Sequence, residues 1–298
     1  MVYKISKEMD TFINENLGEI VKYEKVTGIK EMGGCFRVTL SHNESLIVKG
    51  DPSCLESIFY REIAPNLREK GVNIPHLIHT SFEESLNHYW TIMECVPYSL
   101  PRDRWFADQD IINTLVNLHN ATWQRTFEIP GSYKPVWHEK MNAKIVSMLD
   151  NVNESRDLEL QLNKLMQDSS ELFLPYCNIN GDTNPTNWGI RENNEIVLFD
   201  WERFSNGSPA IDLAISIPGI GSLDNQLELE IATKYLASWR KLDTHLFPYS
   251  EKELVHEINK AKIWVTIEFI SNQVDGFNSE VVTWFLEKLP LKIKAMTK

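Results

Sequence analysis

The chain has 298 residues, 42% of them apolar and 24% charged, a composition that folds and excludes long disordered stretches. That length suits one large domain or two lobes around a continuous core. The formal net charge of −12 argues against a nucleic-acid partner, because phosphate backbones select basic surfaces, and it suits a cationic small ligand.

The amino-terminal stretch MVYKISKEMD reaches acidic residues too early for a secretory signal. Residues 23–28 (YEKVTG), 34–40 (GCFRVTL) and 45–49 (SLIVK) read as three strands, separated by Gly33-Gly34 and by the polar turn Ser41-His42-Asn43-Glu44. From Cys54 to Lys70 the apolar residues Leu55, Ile58, Phe59, Ile63 and Leu67 recur at helical spacing, and Gly71 and Pro75 stop the pattern. Short strands follow at 76–79 and 88–93. Val96-Pro97 then opens a connection, so residues 1–96 are expected to form a small β-rich lobe and 97–298 a larger helical one. In the second, Ile111, Leu115 and Leu118 line one side of a helix. Residues 176–179, 188–190 and 196–199 read as short strands, and amphipathic runs near 226–241, 252–273 and 279–296 as helices. The plan is α+β and two-lobed. No apolar run approaches the ~20 residues that span a bilayer. Cys35, Cys54, Cys95 and Cys177 contain no Cys-x-x-Cys pair, which predicts reduced thiols in a cytoplasmic protein without a membrane partner.

The segment Asn180-Gly181-Asp182-Thr183-Asn184-Pro185-Thr186-Asn187-Trp188 carries the chemistry. It sets an acid and an amide five residues apart in a loop that enters a strand, and Asp200 ends the apolar run Ile196-Val197-Leu198-Phe199 eighteen residues after Asp182. Phosphoryl transfer needs an acceptor that orients the attacking hydroxyl and takes its proton, which suits Asp182. It needs hard oxygen ligands for Mg2+, which suits Asn187 with Asp200. A cation must neutralise the triphosphate from the other side, and Lys49 at the end of a strand fits that task. Glu62, on the following helix, is the expected acidic partner of Lys49. The backbone after Gly33 and Gly34 is expected to cradle phosphate oxygens.

The strings NGDTNPTNWGI and VLFDWERFSNGSPAIDLA resemble the catalytic region of the aminoglycoside phosphotransferase/choline kinase group, which has the protein-kinase-like fold. That group shows His-Gly-Asp-x-x-x-x-Asn, then Ile-Asp-Trp-Glu, then Asp-Pro-Ala-x-Asp-Leu-Ala. The resemblance extends more weakly over almost the whole chain. It implies an ATP- and Mg2+-dependent enzyme that phosphorylates a small-molecule hydroxyl. Lys49 and Glu62 then match the nucleotide-binding lysine and its helix glutamate. Met93, Glu94 and Cys95 match the hinge whose backbone contacts adenine, Leu118-His119 the end of the first large-lobe helix, and Asp212 the residue that holds the catalytic loop. Asp224, Glu268 and Asp275 lie where the group builds its acceptor pocket, and an aminoglycoside or amino alcohol is the favoured acceptor.

Two departures stand out. Asn180 replaces the usual His, and its amide is expected to support the loop by hydrogen bonding. The stretch from Gly28 to Arg37 lacks a Gly-x-Gly-x-x-Gly pattern. Together they leave open a nucleotide-binding regulatory module without turnover. A protein kinase fits less well, because only twelve residues lead from Asp200 to Asp212, too few for a peptide-docking activation segment.

Overall fold

In the computed structural model, which describes residues 5–26, 34–148, 152–272 and 279–296, the chain opens with a helix that the sequence reading leaves unnamed. This is α1 (Lys7–Asn16), capped by the Ser6 side chain, which accepts from the Met9 N–H. Five strands follow: β1 (Ile20–Lys25), β2 (Gly34–Leu40), β3 (Ser45–Asp51), β4 (Leu77–Glu83) and β5 (His88–Glu94), forming an antiparallel sheet in the order β1-β2-β3-β5-β4. Alternate residues of a strand face opposite sides. Phe36, Val38, Leu46, Val48 and Ile92 therefore bury against Met9 and Ile13 of α1 in a core of their own. Cys35, Ile47, Lys49, Thr91 and Met93 take the other face, with Lys49 paired directly to Cys35 on one side and Thr91 on the other.

The segment expected as one helix from Cys54 to Lys70 is α2 (Leu55–Ile58), a π-helical turn (Phe59–Ile63) and α3 (Ala64–Glu69). Pro65 has no N–H to give the carbonyl four residues back, and the wider turn sits just before it. The run docks inward through Glu56, Ser57, Phe59, Tyr60, Ile63, Ala64 and Leu67.

The remainder is mainly helical: α4 (Gln109–Ala121), α5 (Glu139–Ser147), α6 (Val152–Asp168), α7 (Pro209–Ile215), α8 (Gln226–Leu242), α9 (Glu251–Ser271) and α10 (Ser279–Met296). Helix α9 starts in a capping box between Ser250 and Glu253 and is buried on most sides, with α5, α7, α8 and α10 around it. The expected short strands are present as β7 (Cys177–Ile179), β8 (Trp188–Ile190) and β9 (Ile196–Leu198). Two more, β6 (Tyr98–Ser99) and β10 (Ser205–Gly207), complete the small sheets β6-β8-β9 and β10-β7. Among the described residues no helix is long and apolar enough to cross a membrane.

Contacts from the large sheet and from the α2–α3 run to the helical part shape the cleft between them. Phe59 stacks on Trp201 at 4.4 Å between ring centroids. Arg191 grips both oxygens of Glu94, at 2.6 and 2.8 Å. The Leu198 N–H donates to the Asn73 carbonyl at 3.0 Å.

Candidate active site

The loop between β7 and β8 is held from beneath by Asp212 of α7, which is fully buried. Asp212 accepts the N–H groups of Asn180 and Gly181, each at 2.9 Å, and sits 3.1 Å from His119 Nε2. The other His119 nitrogen lies 3.0 Å from the Tyr235 hydroxyl. Gly181 has φ +77, and a Cβ there would meet the Arg203 carbonyl at 2.8 Å, so glycine is required on both counts. Asn180 does two jobs. Its Oδ1 accepts the Asp182 N–H at 2.9 Å, and its Nδ2 donates to the Asp200 carbonyl at 3.1 Å, tying the loop to the end of β9.

That double tie aims two carboxylates at the cleft. Asp182 Oδ1 accepts from Asn184 Nδ2 at 2.8 Å, and Asn187 Nδ2 donates to the Asp182 carbonyl at 2.8 Å. Burial pushes the Asp182 carboxyl above the usual carboxylate range, while the Asn184 hydrogen bond and the Arg203 charge pull it back. Asp200 is left-handed, with φ +61, a conformation Asp tolerates better than most residues.

Lys49 Nζ reaches across the cleft to Asp200 Oδ1 at 2.9 Å and to Glu56 Oε2 at 2.6 Å. Burial works against its ammonium, but the two carboxylates outweigh it and hold its pKa above the usual lysine value. Here one sequence-based assignment is corrected: the acidic partner of Lys49 is Glu56, not Glu62. The Glu62 side chain is 56% exposed and pairs with Arg61. At about 100° per residue, six residues carry it roughly 240° round the helix from Glu56. Glu56 carried a readable signal in its spacing of three and seven residues from the inward Phe59 and Ile63.

Gly34 begins β2 opposite Gly50, and Gly33 lies outside the described residues. Met93 packs in the core. The Glu94 N–H is spent on the His76 carbonyl at 2.9 Å, and Cys95 is half-buried with its thiol pushed up by burial. Cys35, opposite Lys49, has its thiol raised to about 11 by burial, so it is neutral. Of the acids assigned to the acceptor pocket, Asp224 is exposed and accepts the Gln226 N–H, and Asp275 lies outside the described residues. Glu268 is bonded at both oxygens, to Tyr133 and to Arg203. The sequence reading missed Arg203 and Tyr133; the first lay in plain view, three residues after Asp200.

A model of the phosphotransferase enzyme family matches residues 36–245, and no curated protein matches the chain in sequence. Among solved structures, amicoumacin kinase hAmiN in complex with AMP-PNP and Ca2+ superposes with a TM-score of 0.67 at 13% identity, covering 95% of this chain and 93% of that one. Spectinomycin phosphotransferase APH(9)-Ia, in complex with ADP and spectinomycin, gives 0.66 at 14% identity, covering 100% and 98%. A thermostable mutant of aminoglycoside phosphotransferase APH(4)-Ia gives 0.61 at 10% identity, covering 96% and 98%. At these identities the likeness shows a shared fold.

Proposed function

Because the chain belongs to the phosphotransferase enzyme family, we propose that it moves the γ-phosphoryl group of ATP, bound with Mg2+, to a hydroxyl group of a small molecule. Residues 1–96 supply the nucleotide side of the cleft and 97–298 the catalytic and acceptor side. The observation that carries the reading is the Lys49–Asp200 contact of 2.9 Å, which joins a strand-borne cation to a loop-borne carboxylate across the cleft.

The donor set suits magnesium. Asp200 offers a carboxylate, and Asn187 keeps its amide oxygen as a ligand atom because its nitrogen is spent on the Asp182 carbonyl. Magnesium held largely by phosphate oxygens and water needs only one or two such hard ligands. When bound, the ion offsets phosphate charge. Lys49, steadied by Glu56, holds phosphate oxygens from the sheet side. Asp182, with Oδ1 occupied by Asn184, has Oδ2 left to orient the acceptor hydroxyl and take its proton as the oxygen–phosphorus bond forms. Met93, Glu94 and Cys95 edge the adenine site, and Gly34 opens the strand over the phosphates. The four cysteines are free thiols, which suits the reducing, ATP-rich cytoplasm.

The test is ADP release by the purified protein with Mg2+ and ATP, against sugars, polyols, hydroxy acids, amino alcohols and aminoglycosides. Acceptor-dependent ADP formation is expected. Tight Mg·ATP binding with no ADP from any acceptor would point instead to a binding module.

A further inference from the structure

Arg203 is built into the wall beside Asp182. Its backbone carbonyl and Cβ would stand 2.8 and 3.2 Å from a Cβ on Gly181, and Asp182 feels its charge. The side chain is locked from two directions. Nη2 lies 2.6 Å from Glu268 Oε2 of α9, and the guanidinium carbon stands 4.0 Å above the Tyr133 ring. Tyr133 in turn bonds the other oxygen of Glu268. Nε is buried and has no hydrogen-bond partner, whereas the side chain as a whole keeps 28% of its surface exposed against 7% for Glu268. Beside Asp182 the wall therefore presents the exposed part of a guanidinium, and the carboxylate that holds it, Glu268, is already paired at both oxygens.

We infer that Arg203, clamped by Glu268 and Tyr133, selects an acceptor that carries an oxygen, hydroxyl or carboxylate, next to the reacting hydroxyl, and disfavours one with an ammonium there. A guanidinium gives hydrogen bonds and accepts none, so an ammonium beside it meets both an unpaired donor and a like charge. The inference rests on the phosphotransfer reading above, and it points away from what the overall acidity suggests. Net charge describes the whole surface, whereas selection is made by the few groups that touch the acceptor.

Matched acceptors test it: glycerol and glycerate against 3-amino-1,2-propanediol, and glucose and gluconate against glucosamine, each read as kcat/KM for ADP formation. The oxygen-bearing members should be preferred by about 10–100-fold, the range of a hydrogen bond to a charged group. Arg203→Met releases Glu268, so the preference should move at least about tenfold toward the amines. The double variant Arg203→Met/Glu268→Leu leaves no unpaired buried charge and should show almost no preference. Binding of Mg·ATP to each variant reports that the fold persists. A wild-type preference for the amines, or a ratio that neither variant moves, overturns the inference. Failure of the phosphotransfer reading looks different, with no ADP above the acceptor-free rate from any member of either set, and it takes this inference down with it.

Discussion

Asp212 accepts the backbone N–H groups of Asn180 and Gly181 through its two carboxylate oxygens, each at 2.9 Å. Helix α7 thereby fixes the two residues that lead into Asp182. Asp212→Asn puts an NH2 group where an acceptor is needed, stranding one buried donor. The expected loss is about 1–3 kcal/mol of stability together with a fall in turnover. Urea unfolding reads the first, and an unchanged midpoint would contradict this picture of the loop.

Lys49 is steadied by Glu56, and Glu62 is paired at the surface. Glu56→Gln should raise the KM for ATP by about tenfold or more, the cost of leaving a half-buried ammonium with Asp200 as its one charged partner. Glu62→Gln, touching only an exposed pair, should stay within about twofold. ATP titrations of the two variants in parallel decide the matter, and the reverse ranking would restore Glu62.

The proposed function gives Asp182 and Asp200 separable tasks. Asp182→Asn should lower turnover by roughly 10²–10⁴-fold while Mg·ATP still binds, because only the proton acceptor is lost. Asp200→Ala should instead weaken the magnesium dependence of nucleotide binding. Nucleotide binding with and without Mg2+, measured beside turnover, separates the two. Near-native activity in both variants would refute the site.

Lys262 of α9 is buried and donates to the carbonyls of Ala214 and Ile217. Burial lowers its pKa from 10.5 to about 7. Between those values the unfolded chain holds a proton that the folded chain lacks, so stability falls as pH drops from 10.5 toward 7 and rises in the other direction, by up to roughly 1.4 kcal/mol per pH unit. Relative to Lys262→Met, the wild type should gain Tm between pH 7 and 9. A difference that stays constant with pH would mean that Lys262 titrates normally.

Much of the candidate site was legible because its signals are local. Asp182, Asn187 and Asp200 lie in short loops at strand ends, where few residues separate the groups and the flanking apolar runs mark the elements. The strands and the three carboxy-terminal helices followed from periodicity for the same reason. Helix α1 went unnamed although Ser6, Met9 and Ile13 spell a cap and an inward stripe, because so short a segment shows little periodicity. Its burial comes from the sheet it covers.

The amino-acid order alone determined which chemical groups are present and which stretch of backbone carries each. It could not determine which groups meet when the contact depends on rotation or on distance along the chain. Glu56 and Glu62 differ only in their angle about one helix axis, and that angle is set by the docking of Phe59 against Trp201. Arg203 and Glu268, sixty-five residues apart, are joined only because α9 packs against α7. Folding thus turned an acid expected to face the acceptor into the clamp of an arginine, since a buried carboxylate is stable only with its charge paired.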